Sequence, residues 1–410
     1  MNTFVAVVLM LLATVAHGAN PPIDPCDHGA IGDGLADDTV AIQAALNAAA
    51  DTSHVVSLLP GNYRITAMLD IPYGVTLTGA VARWEDGSTG IIVEEPGFSA
   101  VRLNHHSCVR ALRFSYPNNR LGAEPTEYPP TVLMVGINPS VEQIVFDGAY
   151  VGVSPPPEGA NTGQSLFRDL TGFVHKTGIR LDGIKDVARI EDVHWFVPGA
   201  GGTGGWFRTN RVGFEFGSVD GIIMSKCFMI GGKTFLHEQR VNGEGKSVHS
   251  LGIHVTQCWT EAVKYGFLIE GTCGFVLSDT QIYVSQADGI GIAMRMPEFY
   301  YHSAITNTQI RLDGNPDSAV GIEYSPTNDH SRNHLMVSGC QVVESLVGVR
   351  LGAGARRVIL RGNHLLAYES AIEIADGADQ LIIKDNILGA PTPIADGSSA
   401  EATKIIADNL

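Results

Sequence analysis

The chain has 410 residues, 44% hydrophobic and 17% charged, with 47 Gly and 20 Pro. It is too apolar for a disordered chain and too long for a disulfide mini-domain. Its 27 Lys and Arg against 43 Asp and Glu give a formal net charge of −16. Such a surface repels phosphate backbones, which argues against nucleic acid as a partner; an anionic polymer would need a local basic groove or a bridging cation.

Residues 1–18 read as a signal peptide. Residues 4–16 are an uncharged apolar run, followed by Ala16-His17-Gly18, a small-x-small pattern suited to signal peptidase, although no Lys or Arg precedes the run. It is shorter than the ~20 residues that cross a bilayer. The expected product is soluble, secreted or periplasmic, starts near Ala19 and has no further membrane segment.

Pro21-Pro22-Ile23-Asp24-Pro25 is an extended lead-in. In residues 40–50, Ile42, Ala45, Leu46 and Ala49 recur at helical spacing, and Asp37, Asp38 or Thr39 can cap the helix. Residues 55–59 read as a strand stopped by Pro60-Gly61, and Tyr63-Arg64-Ile65 resumes it. Helical periodicity then stops, and short apolar alternations repeat to the end.

One half-repeat is Gly178-Ile-Arg-Leu181, Gly213-Phe-Glu-Phe216, Gly266-Phe-Leu-Ile269, Gly291-Ile-Ala-Met294, Gly321-Ile-Glu-Tyr324, Gly348-Val-Arg-Leu351 and Ala371-Ile-Glu-Ile374. Each is followed by a second, from Ile190-Glu-Asp-Val193 to Ile383-Lys-Asp-Asn386, and an unpaired extra copy ends at Cys258. The tightest spacings match three short strands and three turns, one coil of a parallel β-helix. The expected fold is all-β: a single β-helix domain over residues 19–410, with the N-terminal cap and first coils at 24–80 and coils with inserted loops at 81–410. In this register Val193, Cys227, Cys258, Thr280, Thr308, Cys340, Asn363 and Asn386 share one column, so the three cysteines read as ladder residues. Cys26 and Cys108 are left as one candidate disulfide.

Gly32-Asp33-Gly34-Leu35-Ala36-Asp37-Asp38-Thr39, Ala41-Ile42-Gln43 and Leu59-Pro60-Gly61-Asn62-Tyr63 resemble the N-terminal signature of the pectate lyase superfamily, the rhamnogalacturonase/epimerase-like β-helix proteins. The resemblance implies a right-handed parallel β-helix, usually secreted, acting on polysaccharides by hydrolysis, elimination or epimerisation. The signature is the architectural cap, not an active site. The polygalacturonase residue set and the calcium and arginine motifs of pectate lyases are not found, so no catalytic residue is carried over.

Candidate residues come instead from the stretch 191–265, where insertions at 198–210 and 231–250 break the coil spacing and would wall one side of the solenoid. Trp206 and Trp259 are candidate sugar platforms, and Arg208, Arg211, Lys246 and His254 candidate substrate contacts. The column Asp192, Lys226, Gln257, Asp279, Asn307 places Asp192 and Asp279 three steps, about 14 Å, apart. That is too far for a glycosidase pair of ~5 to 9.5 Å. A working pair would join Glu191 or Asp192 with Glu238 or Glu261. The expectation is a glycoside hydrolase or polysaccharide lyase, with a non-catalytic glycan-binding or spike-like β-helix as the alternative. Arg208, Arg211 or Lys246 would hold a uronate or act as base in an elimination. No metal motif or cofactor is required, and calcium becomes a candidate only for a lyase. Asp33, Asp37 and Asp38 read as turn and cap residues. Gly199-Ala200-Gly201-Gly202-Thr203-Gly204 has no βαβ context and reads as a loop. The oligomeric state leaves no signature.

Overall fold

The computed structural model describes residues 20–82, 88–119, 124–197, 205–242, 245–296, 302–313, 318–327, 334–399 and 401–410. The leader at 1–18 and the glycine run at 199–204 lie outside these residues. Pairing between successive coils is parallel throughout. The chain winds as a right-handed parallel β-helix with three sheets along its axis.

The first sheet contains strands such as Val212–Phe216, Ile290–Met294 and Val320–Tyr324. The second contains Val219–Ser225, His249–Thr256, Leu335–Ser338 and Asp379–Lys384. The third contains Gln281–Val284 and Gln309–Leu312, while longer strands such as Trp259–Ile269 and Gln341–Leu351 bend from the third into the first.

The inward positions form the core. One second-sheet column runs Ile190, Met224, Val255, Leu277, Ile305, Val337, Leu360, Ile383, all buried. The helix Thr39–Ala50 closes the N-terminal end and buries Ile42, Ala45, Leu46 and Ala49, the residues its spacing selected. Ile42 and Leu46 together contribute about 3 to 6 kcal/mol of apolar burial. The aspartates before it close turns: Asp38 accepts from the N–H of Ile31 and Gly32, and Asp33 from Leu35 and Ala36. Asp37 takes the N–H of Thr39 at the helix start.

The corner between the second and third sheets is one residue in the left-handed conformation. Asp192, Lys226, Gln257, Asp279 and Asn307 have φ between 47° and 55°, and Gly339, Gly362, Asp385 and Asp408 continue the column. Asp, Asn and Gly suit this conformation. The next position turns inward and forms the expected ladder. Thr280 and Thr308 donate to the carbonyls two residues back, and Cys227 and Cys258 point their thiols likewise. Asn363 and Asn386 bond one another and the neighbouring coil backbones. Cys26 and Cys108 are both free thiols, so that candidate disulfide is not formed.

The glycines of the first half-repeat face the carbonyl of the coil above. A Cβ at Gly291 would lie 2.6 Å from the oxygen of Gly321, and one at Gly266 2.5 Å from that of Gly291.

The expected insertion at 231–250 is corrected. Phe228–Glu238 is a continuous strand, and Thr234 to Glu238 pair with both Val212–Phe216 and Trp259–Ile269. This is the missing partner of the extra half-repeat ending at Cys258, hidden because Phe235 stands where other coils have Gly. Only the segment after Glu238 leaves the coil, folding into a short hairpin with a Val241–Ser247 bridge.

Candidate functional site

The residue just after the ladder points outward on the third sheet. Taken coil by coil, this column reads His194, Phe228, Trp259, Gln281, Gln309, Gln341, His364. Its first part is aromatic: the His194 and Phe228 rings lie 4.6 Å apart, and Phe228 and Trp259 6.1 Å apart. Trp259 is 47% exposed, and the three glutamines beyond it are also exposed. Two residues further along the strands, Tyr283, Arg311 and Val343 share a second outward column, and Glu261 stands beside Tyr283.

The two columns line an open groove of about 500 Å³ with Trp259 and Glu261 at one end and Gln341 and Val343 at the other. Arg311 is engaged inside it. Its Nε donates to Glu344 at 2.8 Å, its Nη2 lies 3.5 Å from Asp313, and its guanidinium sits 5.6 Å from the centre of the Tyr283 ring. The Tyr283 hydroxyl donates to Asp313 at 3.1 Å; burial first, then this bond, hold its pKa above the ordinary phenol value. Glu261 is half-buried, and no hydrogen bond or ion pair engages its carboxylate among the described residues.

Of the residues selected from sequence, Trp259 and Glu261 meet here and the rest do not. Glu191 faces outward on the second sheet between Arg168 and Ser225, before the corner occupied by Asp192. Asp192 is placed by the turn it makes. Lys246 lies in the hairpin, its N–H bonded to Asn242. His254 lies in a separate trough of about 420 Å³ on the second sheet, beside Ile223, Leu251 and Gly252. Trp206 and Arg208 belong to the short helix Trp206–Asn210, where Trp206 packs 6.0 Å from Tyr150 with the Lys176 ammonium 5.7 Å from its ring centre.

Two selected residues are closed to any ligand. Arg211 is fully buried; it donates to the carbonyls of Phe196, Ile230 and Gly231, and its guanidinium lies over the Phe173 and Phe207 rings. Burial pulls its pKa down to about 9. It ties the short helix to the coil and cannot hold a uronate. Glu238 occupies a core column between Phe216 and Ile269 and is fully buried. The N–H of Gly271 donates to its Oε2, and burial pushes its pKa up to about 8. It serves the core and not a substrate.

The first sheet carries a row of paired polar side chains. Arg180 approaches Glu215 at 3.6 Å, His237 lies 2.9 Å from Glu270, and Arg295 bonds Glu323 at 2.6 Å. The His237 bond holds the Glu270 carboxyl below its ordinary value. No group of three His, Cys, Asp or Glu is placed to hold a metal among the described residues, and none of their helices is long and apolar enough to cross a membrane.

Tyr283, Arg311 and the three glutamines were missed by sequence reasoning. Their signal is positional: Thr280-Gln281, Thr308-Gln309 and Cys340-Gln341 repeat the step Cys258-Trp259.

Residues 26–100 match the family described as rhamnogalacturonase A/epimerase, pectate lyase-like. No curated protein sequence matches the chain. Among solved structures, the chain resembles the N-terminal fragment of bacteriophage phi29 gene product 12, with 13% identity over 94% of this chain and 69% of that one and a TM-score of 0.69. The tailspike protein of E. coli bacteriophage HK620, solved with a pentasaccharide, gives 9% identity, 95% and 78% coverage and a TM-score of 0.61. The catalytic unit of an α-1,3-glucanase from Streptomyces thermodiastaticus gives 14%, 96%, 69% and 0.52. At these identities the likeness is one of fold.

Proposed function

We propose that this chain, a pectate lyase-like right-handed parallel β-helix, binds an extended polysaccharide along the groove of its third sheet. The observation that carries the reading is the column that passes from aromatic faces to three stacked glutamines. Pyranose rings present an apolar face to an indole and hydroxyls to amides, and Trp259 and Gln281 offer both on adjacent coils. Neighbours of the same fold include a tailspike carrying a pentasaccharide and an α-1,3-glucanase, which agrees with a glycan as the partner.

Hydrolysis in the same groove is a second reading, favoured by Glu261 alone: a carboxylate beside the indole platform, while Asp313 and Glu344 are engaged by Arg311. Elimination loses its candidate bases, because Arg211 is buried and Lys246 and Arg208 stand outside the groove. Export to the periplasm or medium belongs to the proposal, and N-terminal sequencing of exported protein should begin near Ala19.

The test is affinity electrophoresis against a panel of polysaccharides, with reducing ends and unsaturated uronides assayed on the same mixtures. Trp259→Ala should weaken binding at least tenfold. Binding unchanged by Trp259→Ala would remove the groove from the reading. Reducing ends lost in Glu261→Gln would establish hydrolysis there; their persistence would leave Glu261 a binding residue.

A further inference from the structure

We infer that the polymer in this groove is an uncharged polysaccharide, lying parallel to the solenoid axis with about one sugar ring per coil. The inference rests on the groove reading above and adds the ligand's charge and direction.

The charge follows from how Arg311 is held. It is the one cation lining the groove among the described residues, and it contacts both Glu344 and Asp313. With Glu261 nearby, the four groups sum to −2 on a chain of net charge −16. A polyuronate carries a negative charge on each ring. It would meet this net negative charge without an unpaired cation, a modest repulsion at these exposed positions that salt screens. The remaining polar lining is Gln281, Gln309 and Gln341, whose amides offer both donors and acceptors. That pattern suits hydroxyl or acetamido groups, and Glu261 supplies one strong acceptor for a hydroxyl.

The direction follows from register. Trp259, Gln281, Gln309 and Gln341 occupy consecutive coils in one column, so equivalent atoms recur about every 4.8 Å along the axis. A pyranose linked through opposite ends advances by a similar length. An axial chain therefore meets the same kind of amide at each ring, whereas a chain crossing the sheet would leave the column after one contact.

The test uses the full chain and measures binding to neutral glucans and mannans, and to polygalacturonate and alginate, at low and high salt and with chelator. A neutral polymer should bind with no more than a twofold change across salt, and Trp259→Ala and Gln309→Ala should each weaken it at least tenfold. Both residues are exposed, and circular dichroism checks the fold. The double variant Asp313→Asn, Glu344→Gln releases Arg311 and should gain salt-sensitive binding to polygalacturonate, at least fivefold over the parent chain. Uronate polymers bound in preference, with that binding lost in Trp259→Ala, would overturn the charge inference and leave the groove reading standing. Binding of any polymer that neither single variant alters, or no binding across the panel, overturns both.

Discussion

Glu238 offers a sharp test because a carboxyl in a solenoid core must make stability depend on pH in a known direction. In the unfolded chain it titrates near 4.5, and in the fold burial raises this to about 8. Between those values the folded state holds a proton that the unfolded state has released. Stability therefore falls as pH rises through that window, is full below about 4.5 and levels off above about 8. At ~1.4 kcal/mol per pH unit the whole span reaches about 5 kcal/mol, an upper figure for a fully buried group. Glu238→Gln matches the protonated carboxyl in shape and can still accept from the Gly271 N–H, but it does not titrate. Urea unfolding of both proteins at a series of pH values gives the comparison, since other titrating groups cancel in the difference. The variant should gain on the parent progressively from about pH 5 to 8, by roughly 3 kcal/mol at neutrality. Parallel curves would refute the buried-acid reasoning. Glycan binding by the variant should equal the parent's, because the side chain faces the core.

Asn386→Ala removes the partner of the Asn363 N–H and of the Leu360 carbonyl. Two buried unpaired groups cost about 2 to 5 kcal/mol, read as a lower urea midpoint. Gly291→Ala forces a Cβ to 2.6 Å from the Gly321 oxygen and 2.5 Å from the Ile310 side chain; overpacking of about 1 to 3 kcal/mol should lower the thermal midpoint, and an unchanged midpoint would contradict the close approach. Maleimide labelling should modify exposed Cys26 in the folded protein and leave Cys227, Cys258 and Cys340 protected until urea is added; burial raises the Cys340 thiol to about 11.

The repeating register was legible because inward and outward positions alternate with side-chain chemistry. The ladder from Cys227 to Asn386 emerged intact, as did the helix face of Ile42 and Leu46. The site was only partly legible. Trp259 and Glu261 stand out by type, but Gln281, Gln309 and Gln341 are ordinary polar residues one by one and acquire meaning only when stacked. Glu238 and Arg211 misled for a related reason: a charge in sequence reads as surface, and nothing local reveals that Glu238 shares a column with Phe216 and Ile269. The coil at Thr234 to Glu238 lacked the expected glycine, so that column was not drawn through it. Asp192 misled differently, since a corner that needs a left-handed residue selects Asp for its backbone and not for its acidity.

The single-residue corner also makes the molecule countable. Corner residues close the turn with an N–H bond to the coil above, as Lys226 does to Thr256, Asn307 to Ser338 and Gly339 to Arg361. The last coils repeat at 23 residues, from Asn363 to Asn386 and on to Asn409. The coil is thus a compact 23-residue increment at this end, while the groove coils are longer, 28 residues from Gln281 to Gln309 and 32 from Gln309 to Gln341. Under the proposed groove reading, duplicating or deleting a coil there would lengthen or shorten the lined surface by one strand spacing, so that coil number would set the length of polymer the surface holds.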